Sequence, residues 1–490
     1  MRIVIILAIA TASFASYYLI KNGDTMILNT PRVALDFDHL SKAIDPLNIP
    51  SLSDAFFINH LYSNLVELDE IQNIKTSLSE NFYWQNSNTL VFEFSKNSPI
   101  QAEDAAFNLH RIIFNGNNLH EDLKQLLCKD DETRDECISR IQVIDGNLRI
   151  TVYNAELKPF ILTSLASIDY RMIPIVAFDS LDYRKAKIIN YKKTSGHYFL
   201  SDSETLTRNN FSHLDFKNNI PEFKIVNTNY KSIKKQLKEG NLNIITTTII
   251  LDNEMAQDLE TSKYRLFKTH PIGVLMLVFS ENANNTFSPQ EKAAAGNLVM
   301  SFLGKISPAE SIKTTQFIQS FGQGYLSDNQ LSEIDTLRKD NIMFRNKLKR
   351  KIKLGVRNAE MWKLFSKQNP EFEIVQITGS VLNMHETEKP DLFAVTNDVS
   401  FETNFSLLTF ALKNNFLKFN NLSTSKILSI FLKLSSDQER VKFINDLHFF
   451  SLKNVVIFPM FASPYITATN SNLSPNQSKF NSRTLLWQIQ

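Results

Sequence analysis

Two adjacent acids, Glu103 and Asp104, are of the residue type that performs acid–base chemistry. They lie in the stretch "SPIQAEDAAFNLHRIIF" at 98–114. Adjacent side chains on a helix point about 100° apart, so the two carboxylates cannot readily share one reacting atom. Acids in a first turn complement the helix dipole, and Ser98 and Gln101 suit a helix start. We therefore predict that Glu103 and Asp104 begin an amphipathic helix and are not catalytic.

The other residue patterns typical of enzymes and metal sites are absent from the sequence. The nine histidines are scattered and form no HExxH motif, and no GxSxG motif marks a serine nucleophile. The 12 glycines form neither a dinucleotide-binding GxGxxG loop nor a phosphate-binding P-loop. We predict a protein that is not an enzyme and that has no catalytic residue, no cofactor and no metal ion.

The chain contains two cysteines, Cys128 and Cys137, at the ends of the charged stretch "CKDDETRDEC". A zinc site would require four ligands, and no histidine lies nearby in the sequence. We predict a local disulfide between Cys128 and Cys137, which is typical of an oxidising compartment. Two free thiols are the alternative.

An apolar run at residues 3–20 follows Arg2 and has the pattern of a secretory signal, with Ser13 and Ala15 as the small residues of a cleavage site. About 18 apolar residues are also the lower limit for a helix that spans a bilayer, so an uncleaved anchor is the alternative. Residues 1–23 are therefore predicted to be a signal peptide or an N-terminal anchor of an exported protein.

The rest of the chain has the composition of a globular protein with two or three lobes. The full sequence has 490 residues, of which 43% are hydrophobic, and this is enough to form the cores of two or three lobes. A formal net charge of +2 gives no electrostatic surface for nucleic acid. Alternating residues predict strands at 88–94 and 147–154, an apolar run predicts a buried strand at 272–280, and helical spacing recurs between strands. The sequence predicts a mixed α/β fold and no nucleic-acid partner.

Several short fragments follow one another along the chain. They are "AIDPLN" (43–48), "INHLYSNLVELDE" (58–70), "LSENFYWQNSNTLVFEFSKNSPIQAEDAAFNLHRI" (78–112), "TSGHYFL" (194–200), "LTRNNF" (206–211), "LKEGNLNI" (237–244), "SSDQERVKFINDL" (435–447) and "VVIFPMF" (455–461). In order and spacing they resemble segments of the extracellular solute-binding proteins of peptide and nickel ABC importers, known as solute-binding family 5. The chain resembles a divergent member of that family over almost its whole mature length.

This resemblance implies a type II periplasmic-binding-protein fold, in which two lobes made of three subdomains close over a ligand about a hinge of two strands. The first lobe would contain residues 24–268 and the returning tail 457–490, and the second lobe residues 269–456. The strands at 272–280 and 455–461 would lie near the two crossings between the lobes.

The same resemblance implies ligand contacts at one strand. Peptide-binding members hold the α-amino group of the ligand on an aspartate seven positions before a phenylalanine, and Asp398 precedes Phe405 by that interval. A buried ammonium requires a paired carboxylate, so the chemistry is coherent. The backbone of Ala394, Val395 and Thr396 would pair with an extended peptide. The alternative is that Asp398 belongs to a surface loop.

The function implied by the resemblance is capture of an oligopeptide or similar small solute in the periplasm. A monomeric binding protein would deliver this solute to the permease subunits of an ABC importer in the inner membrane. The alternative is a degenerate relative that acts as a membrane-tethered sensor or interaction module without transport.

Overall fold

A computed structural model of the chain gives the fold. It describes residues 30–36, 43–49, 51–68, 73–115, 121–129, 132–153, 155–211, 214, 216–228, 230–248, 253–262, 264–304, 309–318, 324–339, 350–356, 359–377, 389–398, 404–419, 422–470, 472–474 and 484–489. The predicted signal peptide or anchor at 1–23 lies outside the described residues.

Strands and helices alternate along the described chain. The strands are β1 (Arg32–Leu35), β2 (Val66–Leu68), β3 (Ile74–Thr76), β4 (Asn81–Trp84), β5 (Thr89–Glu93), β6 (Ile141–Ile144), β7 (Asn147–Thr151), β8 (Tyr198–Leu200), β9 (Thr205–Arg208), β10 (Glu222–Asn227), β11 (Ile244–Ile245), β12 (Tyr264–Lys268), β13 (Gly273–Phe279), β14 (Ile312–Lys313), β15 (Ile352–Val356), β16 (Phe372–Gln376), β17 (Leu392–Asp398), β18 (Ile457–Ser463) and β19 (Ile466–Asn470). The α-helices are α1 (Leu52–Leu61), α2 (Ala102–Asn115), α3 (Glu121–Leu127), α4 (Arg134–Ile138), α5 (Lys158–Leu165), α6 (Tyr230–Lys238), α7 (Asn253–Thr261), α8 (Glu281–Thr286), α9 (Pro289–Leu303), α10 (Asp328–Lys339), α11 (Ala359–Gln368), α12 (Asn404–Lys413), α13 (Thr424–Leu432) and α14 (Asp437–Lys453). Short 3-10 helices occur at Ala155–Leu157, Ile168–Tyr170, Ile175–Ala177 and Leu486–Gln488.

A seven-stranded sheet, in the order β12-β19-β11-β1-β10-β9-β8, forms the base of the first lobe. Its central strand β1 runs parallel to both neighbours, β10 and β11. Val33, Ala34 and Leu35 of β1 are fully buried, as expected for a strand covered on both faces. Strand β19 joins this sheet between β11 and β12, so residues 466–470 lie in the first-lobe sheet.

A smaller subdomain, built around the four-stranded sheet β4-β5-β7-β6, follows α1 in the chain. We call residues 73–172 the small subdomain. Its helix α2 begins at Ala102, and the Asp104 carboxylate accepts hydrogen bonds from the backbone N–H groups of Gln101 (2.9 Å) and Ile175 (2.7 Å). Glu103 is exposed on the first turn. The prediction that these two acids begin a helix is therefore confirmed.

The second lobe is built on a six-stranded sheet in the order β14-β18-β13-β17-β15-β16. The central strand β13 matches the predicted buried strand and pairs antiparallel with β17 and β18. Apolar residues of α9 and α11 cover one face of the sheet, and α12, α13 and α14 cover the other. Together with the first two sheets, this gives a mixed α/β protein, as predicted.

Two short connections join the first-lobe sheet to the second-lobe sheet. One runs from β12 to β13 through residues 269–272, and the other from β18 to β19 through residues 464–465. The predicted division at 24–268, 269–456 and 457–490 stays a prediction, but the pairing of β18 with β13 places residues 457–463 in the second-lobe sheet. The apolar run at 455–461 predicts a strand correctly, but its partner decides which lobe contains it. Within the described ranges no helix is long and apolar enough to cross a membrane.

Candidate functional site

The four predicted ligand contacts lie on one strand of the second lobe. Ala394, Val395 and Thr396 belong to β17, and Asp398 is its last residue. The main chain of Asp398 pairs with Gly273, the first residue of β13. Because Gly273 follows the 269–272 connection directly, this end of β17 lies beside the crossing between the lobes. In the described structure Asp398 is therefore the last residue of a strand.

Among the described residues, one edge of β17 has no strand partner over this stretch, and we call it the open edge. On one side β17 pairs with β13 along its whole length, from Leu392 to Asp398. On the other side β15 pairs with β17 only at Leu392 and Phe393, and no other described residue pairs with the following residues 394–398 on that edge. An unpaired strand edge presents backbone N–H and C=O groups that an extended ligand can bind.

The crossing is tightly packed against this strand end. An added Cβ on Gly273 would lie 3.1 Å from the Tyr465 ring and 3.2 Å from the Ser463 carbonyl oxygen. The Tyr465 N–H donates to Thr269 Oγ1 (2.9 Å), and the Thr269 N–H donates to the Tyr465 carbonyl (3.1 Å). The two connections are therefore hydrogen-bonded to each other where they leave the second lobe.

The first lobe places Thr246 and Thr248 at the end of its sheet that faces the crossing. β11 runs antiparallel to β19, which leaves the crossing, so the carboxyl ends of β11 and its parallel neighbour β1 point toward the crossing. Ligands of open α/β sheets bind at such carboxyl ends. Thr246 Oγ1 donates to the Ala34 carbonyl (2.9 Å) and lies 2.7 Å from Thr248 Oγ1. Our sequence predictions missed these residues, although the run "TTT" at 246–248 is visible in the sequence.

Cys128 and Cys137 are bonded to each other in the small subdomain, with their Cα atoms 5.1 Å apart. The bond closes the loop between α3 and α4, where Thr133 and Glu136 form a capping box at the start of α4. No cluster of His, Cys, Asp and Glu suited to a metal ion occurs among the described residues.

The comparisons with known proteins differ between sequence and structure. No protein-family model matches the chain, and no curated protein matches it. Solved structures do match over nearly the whole chain. The Escherichia coli murein tripeptide binding protein MppA aligns with a TM-score of 0.68 and 13% identity, over 94% of this chain and 97% of MppA.

Two further matches have different ligands. NikA from Staphylococcus aureus in complex with Ni(L-His)2 aligns with a TM-score of 0.67 and 13% identity, over 94% of this chain and 99% of NikA. The ABC transporter-associated periplasmic binding protein DppA from Helicobacter pylori, in complex with the peptide STSA, aligns with a TM-score of 0.67 and 13% identity, over 94% of this chain and 97% of DppA. This chain has their fold. The periplasmic-binding-protein fold predicted from the sequence is therefore confirmed.

MppA matches in a second structure as well. The unliganded open form of MppA aligns with a TM-score of only 0.54, over the same share of both chains as the other MppA structure. The score of the other MppA structure is 0.68.

Proposed function

We propose that this protein is an exported solute-binding protein that captures an oligopeptide or a similar small solute between its two lobes. The observation that carries the proposal is the edge of β17 at residues 394–398, which no described residue pairs with and which lies beside the crossing between the lobes. An enclosed strand edge binds the backbone of an extended peptide whatever its side chains are, and closure of the lobes removes the ligand from water.

Two groups of contacts would fix the ligand on the second lobe. The Asp398 carboxylate receives the α-ammonium of the peptide, and the backbone of Ala394, Val395 and Thr396 pairs with the peptide main chain. The side chains of these three residues are partly buried, so they support the strand while its edge remains available.

The partner in this proposal is the permease of an ABC importer in the inner membrane. The fold supports this assignment, because the H. pylori structure of the same fold is an ABC transporter-associated periplasmic binding protein. The apolar run at 3–20 supports export to the periplasm, with cleavage or with retention as an anchor. The binding protein acts as a monomer without a cofactor and is not an enzyme.

The experiment that tests this function is native mass spectrometry of the purified protein, combined with thermal shift in pools of di- to pentapeptides. A co-purified peptide or a peptide-dependent rise in Tm supports the proposal. Absence of both bound solute and thermal shift contradicts peptide binding.

Asp398→Ala tests the predicted anchor separately. Loss of the ammonium partner is expected to weaken peptide binding more than tenfold, or by over ~1.4 kcal/mol, in isothermal titration calorimetry. The matched control is Asp258→Ala, which removes an exposed acid of α7 in the first lobe and should leave the affinity unchanged. Equal affinities of wild type and Asp398→Ala would remove the anchor assignment.

A further inference from the structure

The small subdomain and the second lobe meet at a buried lysine. Lys413 Nζ, at the end of α12, lies 3.3 Å from Asp122 Oδ1 of α3 and 3.4 Å from Asp169 Oδ2. The Lys413 side chain is 6% exposed and that of Asp122 is 4% exposed. Tyr170 Oη donates a hydrogen bond of 2.6 Å to the same oxygen of Asp122. The ammonium therefore comes from the second lobe, and both of its carboxylate partners come from the small subdomain.

These charges depend on each other because they are removed from water. Burial by itself lowers the pKa of Lys413, but the carboxylates of Asp122 and Asp169 outweigh burial, so that the pKa is raised. Separation of the lobes at this point would leave the ammonium and the carboxylates to be solvated individually. While the lobes are in contact, each charge has its partner.

An aromatic cluster also joins the small subdomain to the second lobe. The Phe160 ring of α5 lies 5.0 Å from the Phe405 ring of α12 and 6.2 Å from the Phe431 ring of α13, measured between centroids. Phe160, Phe405 and Phe431 are at most 6% exposed. The Arg440 guanidinium lies 5.0 Å above the Phe160 ring centroid, on the second-lobe side. Buried apolar residues of the small subdomain and the second lobe form one continuous cluster here.

We propose that this contact between Phe160, Asp122 and Asp169 on the small subdomain and Lys413, Phe405 and Phe431 on the second lobe holds the cleft closed without ligand. Its residues act as positioning residues for the solute site, since they fix the distance between the two walls of the cleft. Ligand then enters only during brief openings. The effect on ligand entry rests on the proposed function, whereas closure itself does not.

The test is a distance measurement between the lobes of the full chain. Spin labels are placed on Gln142→Cys, on an exposed position of β6 in the small subdomain, and on Lys367→Cys, on an exposed position of α11 in the second lobe. The native cysteines are bonded to each other, so the introduced thiols are the ones that react. Double electron–electron resonance then gives the distance distribution without ligand and with a saturating mixture of di- to pentapeptides.

We expect one narrow distance in the ligand-free protein and the same distance after the peptides are added. A ligand-free distance that is longer than the separation of these two positions in the structure would overturn the proposal. A distance that shortens when peptide is added would also overturn it. The ligand-free result decides the question even if no peptide binds, so failure of peptide binding and failure of ligand-free closure are distinguishable.

Lys413→Met should add a population with a longer distance, because the two buried carboxylates then lose their cation. The matched control is Lys292→Met. Lys292 is also buried, but its ammonium donates to Asn284 Oδ1 (2.8 Å) and the Asn454 carbonyl (2.6 Å), both within the second lobe. The distance between the two spin labels in Lys292→Met should match that of wild type. An unchanged distance in folded Lys413→Met contradicts the assignment to Lys413, and a tenfold faster peptide association in this variant would support it.

Discussion

The second lobe meets the first lobe in two physically different ways. At the crossing, two chain segments continue from one sheet to the other and bond through Thr269 and Tyr465. At the Lys413 contact, no chain continues, and side chains alone join the second lobe to the small subdomain. A pair of connections can twist while its hydrogen bonds persist, so the crossing suits a hinge. Separation at the Lys413 contact would expose its rings to water and leave its charges to be hydrated individually, so this contact resists opening chiefly through its buried apolar rings.

The largest effect is expected from the charge at the contact. Lys413→Ala leaves Asp122 and Asp169 without their cation, and removal of one member of a buried ion pair costs about 3–5 kcal/mol. The free energy of unfolding, measured by urea denaturation, should fall by this amount. The matched control is Lys75→Ala, because Lys75 and Glu67 form an ion pair with both side chains about half exposed, worth at most about 1 kcal/mol.

The same variant has a defined pH dependence. Because the pKa of Lys413 is raised above its ordinary value of 10.5, its contribution to stability is complete below that value and is lost as the pH rises through the folded pKa. The difference in unfolding free energy between wild type and Lys413→Ala should therefore be equal at pH 7 and pH 9. A difference that disappears by pH 9 would contradict the pairing.

The second effect concerns the aromatic part of the contact. Phe160→Ala removes a ring that is 6% exposed and packed against two rings of the second lobe, at a cost of about 3 kcal/mol. Phe160→Leu keeps most of the apolar volume and should cost about 1 kcal/mol. Equal stabilities of Phe160→Ala and wild type in urea denaturation would show that the rings do not hold the lobes together.

The smallest effect is expected at the crossing. Thr269→Val removes the acceptor of the buried Tyr465 N–H and should cost about 1–2 kcal/mol. The inter-lobe distance of the spin-labelled protein should not change, because the chain still connects the lobes. A new, longer distance in this variant would show that the crossing, and not the Lys413 contact, holds the cleft closed.

The sequence predicts the local parts of this molecule well. The acids at the start of α2 complement its first turn, and the apolar run at 272–280 fits a strand buried on both faces, so neighbouring residues are sufficient for both predictions. The sheet of β18 could not be read in the same way, because an apolar strand fits either lobe. Only the pairing of β18 with β13 shows that it belongs to the second-lobe sheet.

The candidate site also combines one feature that the sequence predicts with another that depends on the folded chain. The position of Asp398 before Phe405 can be predicted from the family pattern, whereas the open edge depends on where β15 stops pairing with β17. The Lys413 contact leaves no signal in the sequence, because Lys413 and Asp169 are 244 positions apart. Long-range pairs of this kind appear only when the chain is folded.

Hydrogen exchange of β17 shows directly whether a bound peptide pairs with its edge. Mass spectrometry of a proteolytic fragment that covers residues 392–398 reports the backbone amides of the open edge, with and without the peptide pools. If a peptide pairs with this edge, exchange of its outward-facing amides should slow at least tenfold on binding, while exposed α7 stays unchanged. Saturating peptide binding with unchanged exchange at 392–398 would contradict pairing of the peptide with β17 and place the ligand elsewhere.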